Sequence, residues 1–305
     1  MPVLVTGGAG FIGTRVISKL VASGEKAVSF DICPTGAALA DVGGSVKVMR
    51  GDVTCVEDIL AAIQRHGVKK IIHLAVQREG LHAAMKISAL GTNCVFEAAR
   101  LAGIKRIVFA SSAAYHGTQA SFGERPVSEN DPGFPTIVYG AIKWMNEYMA
   151  RAYNTLYGME IVALRAALVY GWSVRGGLAW ANTMVTGPAA GKPAAVPCRS
   201  TQKVCLVHVD DVAEVLSRLV QKEKLAHDVY HTGGHTCTLD EMAGIVKKFI
   251  PEAEISFDEK AAELPFVYLI NNSRLRDELG VELRGLTEGI RQVIGIVRKQ
   301  AGLAQ

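Results

Sequence analysis

Two rhythms of apolar residues alternate along the first half of the chain. Short, mostly apolar runs lie at 3–6, 26–30, 46–50, 70–74, 106–111 and 160–164. They are too brief for helices and apolar at successive positions, so each reads as a buried strand. Between most of them apolar residues recur every three to four positions, predicting helices at 11–20, 56–65 and 85–101, with another at 140–156. Strands alternating with helices demand right-handed crossovers between parallel neighbours. The fold class is therefore α/β, a doubly wound parallel sheet covered by helices on both faces.

After residue 170 the rhythm changes. Residues 171–201 are rich in Gly and Pro and hold Trp172 and Trp180, two of the three tryptophans. A strand at 206–209 should feed a helix at 210–221. Thr238-Leu239-Asp240-Glu241 has capping-box spacing and should open a helix through Phe249. Further helices are expected at 273–279 and starting near Thr287. The implied organisation is a larger unit at 1–170, to which 202–232 return, and a smaller substrate-binding lobe at 171–305.

Where the first strand ends, the chain turns on TGGAGFIG, with Gly7, Gly10 and Gly13 at three-residue intervals, and enters a helix. The N–H groups at a helix start are unpaired and carry partial positive charge, so an anion is favoured there. Glycine keeps side chains from barring a diphosphate from the backbone, or the helix from the strand. Asp31 follows the second strand, about 20 residues past the glycines, where a ribose-binding acid belongs. In doubly wound sheets ligands bind beyond the carboxyl ends of the strands. Those ends here carry Asp31-Ile32, Asp52-Val53, His73-Leu74-Ala75-Val76 and Ser111-Ser112. Asp52 is placed to accept from an adenine amine, while His73 reads as a hydrogen-bonded core histidine.

Composition narrows the class of partner. Of 305 residues 49% are apolar and 20% charged, with a net charge of only +4 and dispersed Lys and Arg, which argues against nucleic acid or a membrane surface. No apolar run is long enough to span a bilayer. The six cysteines lack C-x-x-C pairing and mostly sit in apolar segments, as in a reducing compartment. The first strand starts at residue 3, so no signal peptide is expected, and the expected location is cytoplasmic.

Candidate chemistry centres on Tyr139 and Lys143, four residues apart on one helix face. A free tyrosine, with a pKa near 10, is a poor base at neutral pH. A fixed ammonium favours the phenolate, and lowering the pKa by about three units needs roughly 4 kcal/mol of preferential stabilisation. Ser112, at the end of the fifth strand, is the candidate for holding the reacting oxygen.

Taken together, TGGAGFIG (6–13), Asp31, GDV (51–53), HLAV (73–76), FASSAAYHG (109–117), YGAIK (139–143), LRAALVYG (164–171), HVDDVA (208–213) and SRLRDELG (273–280) resemble the extended short-chain dehydrogenase/reductase superfamily, in its NAD-dependent epimerase/dehydratase group. The resemblance covers almost the whole chain. It implies a Rossmann-type unit at 1–170 binding NAD. Gly7, Gly10, Phe11, Ile12 and Gly13 would then cradle the diphosphate, Asp31 take the adenosine ribose, and Asp52 the adenine. Ile32, Val53, Leu74, Ala75 and Val76 would pack beside the cofactor. Tyr139 would be the general base, Lys143 would hold the nicotinamide ribose and tune Tyr139, and Ser112 would bind the reacting oxygen. An acid at Asp31 favours NAD over NADP, whose 2′-phosphate would meet its charge. Members commonly form homodimers through the helices expected at 85–101 and 140–156, and Ile87, Leu90, Phe96, Met145, Met149 and Tyr153 supply apolar surface for that.

The chain departs from the group's nucleotide-sugar members at three places. Val204 stands where an arginine usually holds the nucleotide phosphates, and residues 264–272 offer no match to a second such arginine. Arg165-Ala166-Ala167 lacks the asparagine often found after the sixth strand. A diphosphate buried without cationic partners is costly. The expected activity is therefore NAD-dependent oxidation of a secondary alcohol in a small-molecule substrate, such as a free sugar, sugar acid or related hydroxy compound. The alternative is a nucleotide-sugar epimerase or dehydratase that oxidises transiently with retained NAD.

Overall fold

A computed structural model describes residues 1–34, 39, 46–172 and 179–303, so part of the Gly- and Pro-rich stretch at 171–201 lies outside the described residues. The first strands and helices follow the predicted alternation: β1 (Val3–Thr6), α1 (Phe11–Ala22), β2 (Ala27–Asp31), β3 (Val46–Arg50), α2 (Val56–His66) and β4 (Lys70–His73). A short α3 (Leu81–Ala84) runs through a π-helical turn, Met85–Leu90, into α4 (Gly91–Leu101). Then come β5 (Arg106–Ser112), α5 (Val138–Tyr157) and β6 (Glu160–Ala166). Helix α5 begins two residues earlier than its apolar spacing indicated, which puts Tyr139 in its first turn.

The remaining elements are β7 (Leu168–Tyr170), α6 (Ala179–Ala189), β8 (Ala194–Val196), β9 (Lys203–His208), α7 (Val209–Gln221), β10 (Val229–His231), β11 (His235–Thr238), α8 (Leu239–Phe249), β12 (Ile255–Phe257), α9 (Ser273–Leu279) and α10 (Leu286–Ala301). Among the described residues, seven parallel strands pair in the order β10-β6-β5-β4-β1-β2-β3. The order reverses between β1 and β4, which makes the carboxyl end of β1 the place where a crevice opens. β9 joins β7 and β11 in a smaller sheet instead.

Successive residues of the central strands explain the continuous apolar runs. Val3, Val5, Ile72, Val108 and Val162 face a core built with Val16, Ile17 and Leu20 of α1 and Val212, Leu216 and Leu219 of α7. Leu4, Ile71, Ile107 and Ile161 face the other way, onto Ile59 and Ile63 of α2, Val95 and Phe96 of α4, and Tyr153 of α5. The expectation for 46–50 needs correction. β3 is the edge strand, and Lys47, Val48 and Arg50 are exposed, so this run forms a sheet margin rather than a buried strand.

A third core joins Met184, Val185, Val204, Leu206, Leu239, Met242, Val246, Ile290 and Val293. The capping box at α8 is complete: Glu241 N–H donates to Thr238 Oγ1 at 3.2 Å, and Thr238 N–H to Glu241 Oε2 at 2.7 Å. The long connection between β5 and α5 is tied to the C-terminal part of the chain. Gln119 Oε1 accepts from Tyr268 and Leu269 N–H at 3.1 and 3.0 Å, while its Nε2 donates to Gly123 and Arg125 carbonyls. Val127 N–H donates to Leu269 O, and Asn271 N–H to Val127 O.

Candidate active site

The glycine turn after β1 is shaped by close approach. Gly7 has φ +68°, and a Cβ there would sit 2.9 Å from Ala75 N. A Cβ on Gly13 would lie 2.2 Å from Gly7 O, so α1 can reach the strand only with glycine at that position. The start of α1 is bare: Gly10 supplies no side-chain cap and no acid lies in the first turn. By contrast α7 is capped by His208 and carries Asp210 and Asp211. An uncapped helix start at a topological switch point is open to an anion, and this is what a dinucleotide diphosphate requires.

The other strand ends surround that opening. Asp31 Oδ2 accepts from Ala9 N–H at 3.2 Å and Oδ1 from Cys33 N–H at 3.0 Å, which fixes the carboxylate beside the turn. Asp52 Oδ1 accepts from Thr54 N–H and Oγ1 at 2.8 and 2.9 Å, shaping the entry to α2. Phe11, Ile12, Leu74 and Ala75 are half-buried and Ile32 and Val76 exposed. Val53 lies deeper, against Gly91 of α4.

His73 is a core histidine with both nitrogens used. Thr92 Oγ1 already donates to Ser88 O at 2.7 Å, so it must accept from His73 Nε2–H at 3.0 Å. His73 Nδ1 is then the acceptor for Thr6 Oγ1–H at 2.7 Å. Burial, with Lys143 nearby, lowers its pKa to about 3.

Ser112, Tyr139 and Lys143 converge at the end of β5. Ser112 closes the strand and its Oγ accepts from Ala114 N–H at 3.2 Å, which orients the hydroxyl. That hydroxyl lies near enough to the Tyr139 phenol to favour its ionised form. Lys143 is buried, with Nζ donating to Ala110 O at 2.6 Å and lying 5.5 Å from the Tyr139 ring centroid. Burial raises the Tyr139 pKa, against the Arg78 charge and the Ser112 hydroxyl, which lower it. Burial brings Lys143 down to about 8, with Glu147 opposing and Arg78 reinforcing the shift. A cation and a hydroxyl at one phenol make a group able to exchange a proton with a bound hydroxyl.

Two further charged residues act at this site, Arg78 and Glu147. Arg78 lies on the loop after β4, which Ser88 pins through Gln77: Gln77 N–H donates to Ser88 Oγ at 2.8 Å, and Ser88 Oγ–H to Gln77 O at 2.7 Å. Glu147, one helical turn beyond Lys143, was accessible by extending the same four-residue spacing. It is buried and paired with Arg165 Nη2 at 2.7 Å.

Residues 3–233 match the NAD dependent epimerase/dehydratase family, and the chain belongs to it. This bears out the resemblance read from the motifs, and with it an NAD-dependent enzyme class on a Rossmann-type sheet. The chain is 32% identical over 171 residues to the UDP-glucose 4-epimerase of Lacticaseibacillus casei, a match covering 54% of this chain and 50% of that protein. It thus spans about half the length of the curated relatives it matches. The crystal structure of Thermus thermophilus UDP-glucose 4-epimerase with NAD is 26% identical, with a TM-score of 0.85 over 98% of this chain and 99% of that one. A partial-consensus L-threonine 3-dehydrogenase reaches a TM-score of 0.88 at 20% identity over 98% and 100%, a likeness of fold alone.

Proposed function

We propose that the protein is a nucleotide-sugar epimerase or dehydratase of this family, acting on a secondary hydroxyl of the sugar. The observation that carries this reading is the Ser112–Tyr139–Lys143 cluster beside the bare start of α1, in a chain that is 32% identical to a UDP-glucose 4-epimerase over 171 residues. NAD, when bound, supplies a hydride acceptor at its nicotinamide ring. Gly7, Gly10, Phe11, Ile12 and Gly13 hold its diphosphate, Asp31 its adenosine ribose and Asp52 its adenine, with Ile32, Val53, Leu74, Ala75 and Val76 alongside. Tyr139 takes the proton of the sugar hydroxyl as its carbon is oxidised and returns it as the product forms. Ser112 hydrogen-bonds the same oxygen, and Lys143 keeps positive charge beside the phenol. Residues 1–170 form the cofactor unit together with α7 and β10, which are the part of 202–232 that returns to the large sheet, while β9 stays with the smaller lobe and the rest of 171–305 covers the substrate.

One observation favours net alcohol oxidation instead. Val204 is buried in the apolar core of the smaller lobe, and Lys203, on the opposite face of β9, lies over the Tyr268 ring at 5.2 Å. That position therefore offers no cation to a nucleotide diphosphate. The test is to supply UDP- and dTDP-sugars, free sugars, sugar acids and hydroxy acids with NAD, following NADH absorbance and sugar interconversion. Interconversion or dehydration of a nucleotide sugar without net NADH, abolished in Tyr139→Phe, is the expected result. Net NADH from a free sugar or acid, with nucleotide sugars inert, would replace this reading with the dehydrogenase.

A homodimer through α3, α4 and α5 accompanies this reading, although the contributing residues only partly match those first expected. Phe96 and Tyr153 belong to the protein's own core, whereas Leu81, Met85, Leu90, Trp144 and Tyr148 are exposed. Sedimentation at micromolar concentration should give a dimer; a monomer alone would refute it. Among the described residues no helix is long and apolar enough to cross a membrane. The six cysteines are free thiols, which supports placing the enzyme in a reducing compartment, the cytoplasm.

A further inference from the structure

Lys143 is nearly inaccessible to water, which makes its charge expensive to keep. The groups around it come from four directions. Tyr139 and Glu147 flank it on α5, His73 approaches from β4, and Arg78 acts from the following loop. Ala110 O of β5 accepts from its Nζ. Of these, Glu147 is the acidic group whose charge acts on Lys143, and Arg78 works against it.

Glu147 is itself held on every side. Oε1 accepts from Ser111 Oγ–H at 2.5 Å and Arg165 Nε–H at 2.9 Å, and Oε2 from Arg165 Nη2–H at 2.7 Å. Arg165 is fixed in turn: Nη1 donates to His116 Nε2 at 3.1 Å and to Glu129 O at 3.2 Å, and its guanidinium lies 3.5 Å over the Tyr115 ring. His116 Nε2 also meets His231 Nε2 at 3.0 Å. Accepting from arginine obliges His116 Nε2 to be unprotonated, so its proton sits on Nδ1, facing Pro132 O at 3.3 Å. Burial, together with the Arg165 charge, keeps His116 neutral near pH 7.

The result is a rigid, buried dipole. Its negative end is one helical turn from Lys143, and its positive end is turned away toward β6 and the two histidines. We propose that Glu147 is a positioning residue for the reaction: held by Ser111 and Arg165, its carboxylate is the counter-charge that keeps Lys143 a cation beside Tyr139. A neutral lysine there would lose its hold on anionic or hydroxylic groups and its pull on the phenol. The role given to Lys143 rests on the proposed function, but the charge relation between the two residues does not.

The test is a pH titration of Lys143 by NMR, using protein with carbon-13 at lysine Cε and assigning the signal by its loss in Lys143→Met. In the native protein the midpoint should fall near 8. Glu147→Gln leaves Arg165 buried without a partner, so the paired variant Glu147→Gln/Arg165→Met is measured as well. In whichever of these folds, the midpoint should move down by about one pH unit or more. Ser111→Ala, which keeps the carboxylate, should lower the melting temperature and leave the midpoint in place. An unmoved midpoint in the folded paired variant would overturn the proposal. So would a native Lys143 that is already neutral at pH 7, a result needing no variant. Neither reading uses substrate or NAD, so silence across the substrate panel would defeat the proposed function while leaving this one standing.

Discussion

Acid should destabilise this protein well before its carboxylates titrate, and His73 allows the effect to be worked through. The folded ring is held as the Nε2–H tautomer between Thr6 and Thr92, with a pKa of about 3, whereas an unfolded histidine titrates near 6.5. Between those values the unfolded chain binds a proton that the folded one refuses, so stability falls as pH falls. Above 6.5 the contribution is complete. At pH 5 the loss from this one group is RT ln(1 + 10^1.5), or about 2 kcal/mol. His116, His208 and His231 are lowered by burial too, so the whole protein should lose more. Asp131, held low by Arg125, contributes nothing in this window, because its stabilisation is lost only as pH drops below the ordinary carboxylate range. Urea unfolding of native protein and His73→Asn at pH 7.5 and pH 5 isolates the term, since the other histidines are common to both. The native protein should lose about 2 kcal/mol more than the variant between the two pH values. Equal losses, or a His73 ring signal titrating above pH 5, would refute the reasoning.

Other outcomes follow from the site's geometry. Gly13→Ala puts a methyl 2.2 Å from Gly7 O, against backbone that has nowhere to go; calorimetry should show NAD affinity reduced at least tenfold, and unchanged affinity would contradict the assigned cradle. Tyr139→Phe should fold normally and lose roughly 10²–10⁴-fold in turnover, the range of a missing acid–base group, with cofactor binding retained. Thr238→Ala removes one half of a complete capping box and should cost about 1 kcal/mol in chemical denaturation, without effect on turnover.

The fold was legible because its information is local. Runs such as 70–74 and 106–111 are short and mostly apolar at successive positions, as strands covered on both faces are. The Thr238–Glu241 spacing announced a helix start that the structure realises with both hydrogen bonds. The edge position of β3 was less clear, although Lys47 and Arg50 were its trace. Within the site, Ser112, Tyr139 and Lys143 could be singled out because the chemistry of each residue type and its place at a strand end or on one helix face point the same way. Glu129 and Arg165 could not. Glu129 Oε1 accepts from His231 N–H, a partner 102 residues away, and no periodicity encodes a polar contact across that distance. The main functional expectation, net alcohol oxidation, rested on missing arginines. The epimerase or dehydratase reading is proposed over it because the family match over residues 3–233 and the epimerase relatives bear on the cofactor and proton-transfer residues, whereas the absent arginines bear on one substrate subsite.

The placement of β10 also bears on how the protein is made. Its three residues pair with β6, so the central sheet gains its last strand only after residue 231, although its first is complete at residue 6. Helix α7, which covers α1 and one face of the sheet, also arrives late. A nascent chain carrying the glycine turn and Tyr139 outside the ribosome still exposes the apolar surface of Val16, Leu20, Val108 and Val162. Synthesis must therefore pass through a stage in which the parts of the active site exist but the wall behind them does not. At that stage the apolar faces that α7 later covers are still open to solvent.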